Sequence, residues 1–364
     1  VSRVTGWVRR TLVGATVLGL AALAYGPTRY LVSEDHAAET SSLSLFDDPY
    51  AAPRLAPWPV RIADTAGAST IPATGGRAAP EGQLLTLAEA EARVPGTAYV
   101  AVTGTAAGHA LPGVGTVLTP RDVAAVLDLD EPARTDTIRY LTAVDGAALG
   151  LFAMAGDPPG KAQIITSRAG ENRRRLLSTG DASVKGLIDL SAQQRPDLSV
   201  LVTPPGYDES AALSAVGLPT SATATPATNA TTTAYRSAVA QAAAREIFPE
   251  LAQRREAVAR HLFTDPDADG LFVLGPDGVT TTARGAAYGV AALAVPPGSK
   301  IAPSRTTGGI RAMAFERPRG GASVLVWNPG PSRRVTVDLP YGDRIHRVRV
   351  MLAAEALTAV LLAR

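Results

Sequence analysis

The 364-residue chain has no cysteine. That excludes disulfide frameworks, Cys-ligated zinc, iron–sulfur clusters and thiolate nucleophiles. Aromatic residues make up only 5% of the chain, which leaves little material for stacking platforms. Lysine is confined to Lys161, Lys185 and Lys300, and the formal net charge is only +2. With no dense basic block, no nucleic-acid partner is indicated. The four histidines, His36, His109, His261 and His346, are dispersed without metal-ligand spacing. There is no G-x-S-x-G nucleophile elbow, and Gly113-Val114-Gly115 lacks the downstream glycine of a dinucleotide turn. No cofactor is called for. What the chain has in quantity is hydrophobic residues (46%), 34 Gly and 28 Pro, enough apolar mass for a large core cut by many turns.

One long apolar run is present, at the N-terminus. Arg3, Arg9 and Arg10 precede the stretch from Thr11 to Tyr25. A basic segment followed by 10–15 apolar residues is the pattern of a secretory leader, with Ala22-Leu23-Ala24 offering cleavage before Tyr25. The rival reading is an uncleaved signal anchor. Both place the rest of the chain outside the membrane, exported and either secreted or held by this segment alone.

Residues 33–57 read as a polar spacer. Strands are expected at Pro59 to Ile62, Tyr99 to Thr103, Leu149 to Met154 and Leu198 to Val202. Helices are expected at Leu85 to Ala92, at Thr135 to Leu141, at Val184 to Gln194, and up to Leu127 behind a Thr119 or Asp122 cap. Residues 211–234 are a low-complexity Ala/Thr/Ser/Pro stretch. Two helices, Tyr235 to Phe248 and Glu250 to Phe263, flank Pro249. Beyond Asp265 short alternating runs follow one another: Gly309 to Phe315, Ser323 to Trp327, Arg333 to Leu339, Ile345 to Met351 and Leu357 to Leu362. Close spacing and hairpin-length turns predict an antiparallel sheet or sandwich, with Trp327 in its core or on its face.

Several segments, in order, resemble glycoside hydrolase family 30. They are WPVRIADTAG, YVAVTGTAAGHALPGVGTVLT, SVKGLIDLSAQQRPDLSVLVTPPG, AAYGVAALAVPPGSKI, IRAMAFERPRGGASVLVWNPGPSRRVTVDLP and LTAVLLA. Val114 stands where that family has an aromatic, Pro120 where it has an acid, and Pro205 where it has a Trp. The resemblance implies a (β/α)8 barrel beside a β-sandwich, and retaining hydrolysis by two glutamates, the acid/base lying in Asn-Glu-Pro. None of Asn172, Asn229 and Asn328 is followed by Glu. The stretch 113–285 holds about 170 residues, short of the roughly 200 that a barrel requires. The fold expectation is therefore multidomain α/β plus all-β: a reduced or incomplete (β/α) barrel-like region with an antiparallel β-sandwich. Its parts are a leader or anchor (1–33), a linker (34–57), N-terminal strands joining the sandwich together with a further linker (58–112), the barrel-like region (113–285) and the C-terminal sandwich (286–364).

Candidate carboxylates are Asp208, Glu209 and Glu250, with Glu246 and Glu256 nearby. Asp208 and Glu209 follow a strand end. The spacing of Glu250 and Arg254 reads as a helix-surface pair, and Glu246 and Glu256 read as solvated helix faces. Tyr207 and Tyr235 are the aromatic residues nearest a sugar site. Asp265, Asp267 and Asp269 with Gly270 match the first half of a calcium loop, but Pro276 occupies the twelfth position where a bidentate Glu belongs, so a solvated acidic turn competes. Arg344, Arg347 and Arg349, with Lys300 and Arg305, suggest a basic sheet face. Three functions stay open: a catalytically degenerate, glycan-binding envelope protein; an active retaining glycosidase with relocated carboxylates; and an envelope scaffold. A carbohydrate or another envelope component is the partner expected.

Overall fold

A computed structural model describes residues 60–65, 77–78, 83–92, 98–143, 146–155, 163–166, 182–203, 233–253, 257–259, 262–263, 270–275 and 278–363. The leader and spacer readings lie outside these residues. Among them, no helix is long and apolar enough to cross a membrane.

In chain order the elements are β1 (Val60–Asp64), β2 (Arg77–Ala78), β3 (Gln83–Thr86), α1 (Leu87–Ala92), β4 (Tyr99–Val102), β5 (Val114–Val117), α2 (Pro120–Leu127), α3 (Glu131–Thr142), β6 (Leu151–Ala155), β7 (Gln163–Thr166), α4 (Ala182–Gln194), β8 (Ser199–Thr203), α5 (Thr233–Ala252) and β9 (Ala257–Ala259). The remainder are β10 (Phe272–Gly275), β11 (Gly278–Thr281), α6 (Ala283–Ala294), β12 (Lys300–Ala302), β13 (Ser304–Thr307), β14 (Arg311–Glu316), β15 (Gly321–Asn328), β16 (Arg333–Tyr341), β17 (Arg344–Leu352) and β18 (Ala356–Ala363). The five C-terminal runs expected as strands are β14 to β18. The boundary drawn at 285/286 falls inside α6.

Two sheets face one another. One has the order β12-β14-β15-β18-β1-β2 and the other β13-β4-β16-β17-β3. Side chains alternate along a strand. Thus Val324, Val326, Val360 and Leu362 from the first sheet meet Val100, Val335, Val337, Val348 and Val350 from the second in one apolar cluster. The opposite parity of the first sheet, including Phe315, Leu325, Trp327, Leu357 and Ala359, belongs to a second cluster with the helices. Both faces of that sheet are covered, so β15 is buried from Ala322 to Asn328 with no polar face. Trp327 therefore lies on the side away from the sandwich core, against Phe248 of α5 at a ring-centroid distance of 6.1 Å.

The third sheet runs β7-β8-β6-β5-β9. Strands β9, β5, β6 and β8 are parallel, and β7 is an antiparallel edge. Its described strands form an open sheet rather than a closed barrel. Helix α6 lies between this sheet and the sandwich. Every residue from Gly285 to Ala294 is buried. A helix that is apolar all round needs cover on every side, and its Ala and Gly side chains let those neighbours come close. A Cβ on Gly285 would run into the Leu271 carbonyl oxygen.

Local signals explain most helix starts. Thr119 and Asp122 form a reciprocal capping box ahead of α2. Thr86 and Glu89 do the same for α1, with Thr86 N–H donating to Glu89 at 2.9 Å. That cap shortens the helix expected from Leu85: Gln83 to Thr86 is instead a strand on β17. The expectation of two helices around Pro249 is also corrected. One helix runs through Pro249 to Ala252, its ring sitting in the last turn, and Ala257–Ala259 is a strand on β5. Pairing to a buried neighbour overrides the helical propensity of alanine there. Strands β2, β5, β7 and β10 to β13 were not anticipated, β5 beginning within a stretch read as a glycine turn, Pro112 to Gly115.

The basic sheet face is corrected as well. Arg347 and Arg349 share a parity, but only Arg349 is exposed. Arg347 lies beneath α1, donating to both oxygens of Asp338 at 2.7 Å and to the Ala90 carbonyl at 3.0 Å. Tyr99 donates to the same carboxylate at 2.6 Å. These three residues tie β4, β16, β17 and α1 together. Burial, and then the Asp338 carboxylate, push the Tyr99 phenol up to about 12. His346, 4% exposed, is pushed below its ordinary value by burial.

Two outcomes follow. Gly285→Val lowers unfolding free energy by about 2 kcal/mol or more, whereas Gly186→Ala in α4, where a Cβ meets nothing within 4 Å, raises it by about 0.5–1 kcal/mol; urea denaturation of both reads the contrast. The raised Tyr99 pKa makes its contribution to stability complete below the unfolded value near 10 and lost as pH rises toward about 12. Tyr99→Phe flattens the alkaline limb of a plot of stability against pH.

Candidate functional site

The polar cluster that unites sequence-selected carboxylates with unforeseen partners lies between α5 and α6. Glu246 and Glu250 are four residues apart on α5, one turn along the same face. Arg284 and Tyr288 are spaced likewise at the start of α6. Arg284 Nη2 is 2.6 Å from Glu246 Oε2, and Tyr288 donates to the same oxygen at 3.4 Å. The Arg284 guanidinium sits 5.8 Å from the Tyr288 ring centroid. The side chains of Arg284 and Glu246 are 12% and 26% exposed. Tyr288 is 2% exposed, and burial pushes its phenol above the usual tyrosine range.

Both α5 glutamates were read as solvated helix faces, and both depart from that. Glu250 is 6% exposed, because α5 turns this face toward the molecule. Glu246 is engaged by α6. The guanidinium and the phenol thus donate to one and the same Glu246 oxygen. Retaining hydrolysis needs two carboxyl groups about 5–5.5 Å apart, one as acid/base and one as nucleophile. The contacts on Glu246 make a charge-assisted tie between the two helices. Arg284 and Tyr288 were missed by sequence reasoning. Their signal was two polar residues one turn apart opening an otherwise apolar helix, where no solvated face exists to receive them.

The remaining candidates scatter. Tyr235 lies in the first turn of α5. Tyr207, Asp208, Glu209, Glu256, Asp265, Asp267 and Asp269 fall outside the described residues. The strand that precedes Asp208 and Glu209 in sequence is described: β8, ending at Thr203, is a parallel member of the open sheet. Among the described residues, no group of three or more His, Asp or Glu is placed to hold a metal ion.

No protein-family model and no curated protein matches the chain. Solved structures do. The chain aligns over 84% of its length with 99% of the endo-beta1,6-glucanase BT3312, at 10% identity and a TM-score of 0.54. It aligns over 84% of its length with 99% of SrfJ from Salmonella typhimurium, at 10% identity and a TM-score of 0.57. The fold is therefore glycoside-hydrolase-like and divergent, consistent with the family 30 resemblance at the level of fold alone.

The helix tie has a measurable signature. Arg284→Met destabilises the protein by about 1–3 kcal/mol by stranding Glu246 in a half-dry interface. The double substitution Glu246→Met/Arg284→Met costs less than the sum of the two single changes, and a double-mutant cycle in denaturant gives the coupling.

Proposed function

From the premise of a divergent glycoside-hydrolase-like fold, we propose that this protein is an exported cell-envelope protein that binds glycan without hydrolysing it. The single observation that carries the reading is the grip of Arg284 on Glu246, which commits a carboxylate of the α5–α6 region to packing. The sequence supports it in two further ways. No Asn-Glu-Pro is present, and the region where the resemblance places a barrel is short. Export rests on Arg3, Arg9 and Arg10 ahead of the apolar run from Thr11 to Tyr25.

A second reading has an observation of its own. Ligands of open parallel sheets sit beyond the carboxyl ends of the strands, and Asp208 and Glu209 come soon after the carboxyl end of β8. Relocated catalysis would use that position.

The test is a panel of aryl glycosides incubated with the purified full chain, alongside a glycan array. The expected outcome is saturable glycan binding with no turnover. Turnover abolished by Glu209→Gln or Glu250→Gln would establish the active-glycosidase reading instead, and silence on both assays would leave a scaffold.

A further inference from the structure

A second cluster of arginines lies at a corner beyond the carboxyl end of α6, away from the Arg284–Glu246 contact at its start. Three turns meet there. One joins α4 to β8 through Arg195 and Asp197, one leaves α6 through Pro296-Pro297-Gly298, and one joins β14 to β15 through Arg317-Pro318-Arg319-Gly320. Close packing holds them together: a Cβ on Gly150 would come 2.6 Å from Pro297 and 3.3 Å from Arg195 Nη2, and one on Gly298 would come 3.2 Å from Pro318.

Arg195 is 5% exposed. Its Nε lies 3.3 Å from Asp197, and its Nη1 donates to the carbonyls of Thr142 at 3.4 Å and of Ala148. Arg317 donates through Nη1 to the Leu293 carbonyl at 3.0 Å, in the last turn of α6. Arg319, two residues on, is exposed and enters no hydrogen bond or ion pair among the described residues. Asp197 is the carboxylate that acts on both Arg195 and Arg317. Glu316 does not balance them: strand alternation turns it away from Arg317, and it stands across from Lys300 on β12. Burial and the charge of Arg195 push Arg317 down to about 10, and Arg319 acts on Arg195 in the same sense. Among the described residues, Arg317 and Arg319 have no side-chain hydrogen bond beyond the one to the Leu293 carbonyl, and Arg195 is held in place by its own bonds.

We propose that this corner is an anion site for a phosphate or phosphodiester group, with Arg317 and Arg319 as its ligands and Arg195 as a fixed charge behind them. Planar guanidinium forks pair with two phosphate oxygens at once, which a lysine cannot do. A bound phosphate brings the missing negative charge and accepts the spare donors. Arg195 stays in place because its own bonds are made to backbone and to Asp197. The same chemistry is presented by free phosphate and by an anionic lipid headgroup. The site is independent of the glycan reading and stands if that reading fails.

The experiment titrates the full chain with inorganic phosphate against chloride at constant ionic strength, read by calorimetry and by the unfolding midpoint. Saturable phosphate binding that chloride does not reproduce is expected, with a matching rise in the midpoint. Arg319→Gln weakens it about tenfold, the loss of one charge-assisted contact. Its midpoint in chloride stays at the wild-type value, so the loss is not unfolding. Vesicles of phosphatidylglycerol and of phosphatidylcholine then separate the sources. Binding that grows with phosphatidylglycerol content and falls in Arg319→Gln assigns the site to a headgroup; phosphate binding without that dependence assigns it to a soluble phosphate. A phosphate response equal to that of chloride, or one unchanged in Arg319→Gln, overturns the proposal.

Discussion

The rest of the structure depends on one buried helix. Residues Gly285 to Ala294 are packed on all sides, by the first sheet of the sandwich, by β5 of the parallel sheet and by α5. A helix in that position must be narrow. Its Ala and Gly residues make it so, and at Gly285 even a methyl group has no room beside Leu271. Without a slim helix the two β layers would stand too far apart to share a core. The cost of this arrangement is that polar groups at the helix ends lose their water. At one end Arg284 and Tyr288 turn to Glu246. At the other, Arg317 donates to the Leu293 carbonyl and Ser323 donates to that of Ala294.

The same logic runs through the sandwich. Arg347 and Asp338 are directly opposed across β16 and β17, and Tyr99 joins them from β4. Taken alone, each is a polar residue that belongs in water. Together, beneath α1, they satisfy one another. Buried ion pairs of this kind give modest net stability but are expensive to break, so they favour one register over its neighbours. Among the described residues two arginines, Arg195 and Arg347, are buried and a third, Arg284, is nearly so, each bonded to groups of the fold. Arginine suits this role because its planar fork reaches several acceptors at once. Near Arg195, Arg317 and Arg319 add further positive charge beside Asp197.

Much of the architecture was legible in the residues. The C-terminal strands announced themselves by alternation and by turns such as Asn328-Pro329-Gly330, and Thr119 with Asp122 announced a cap. The glycoside-hydrolase-like fold was readable from several segments in order. What misled was context. Ala257-Val258-Ala259 has the composition of a helix and becomes a strand because β5 offers an unpaired edge. Glu246 and Glu250 have the spacing of a solvated face, and whether a face meets water depends on what packs there. Arg347 shares its strand parity with exposed Arg349, and the difference between them is α1, a helix more than 250 residues away in the chain.

The sequence by itself determined the element types where local chemistry is strong: capping boxes, alternating β-branched runs, and glycines at tight approaches. It also determined the exclusions, since a chain without cysteine or Asn-Glu-Pro lacks those chemistries in any fold. Tertiary structure alone decided which charges are buried and with whom. That outcome depends on contacts between distant segments, such as Glu246 with Arg284 or Tyr99 with Asp338, and the spacing of residues along a chain carries no record of them. The physical reason is that a hydrogen-bonded cap is complete within one turn. A buried charge is tolerated only when the whole fold delivers its partner.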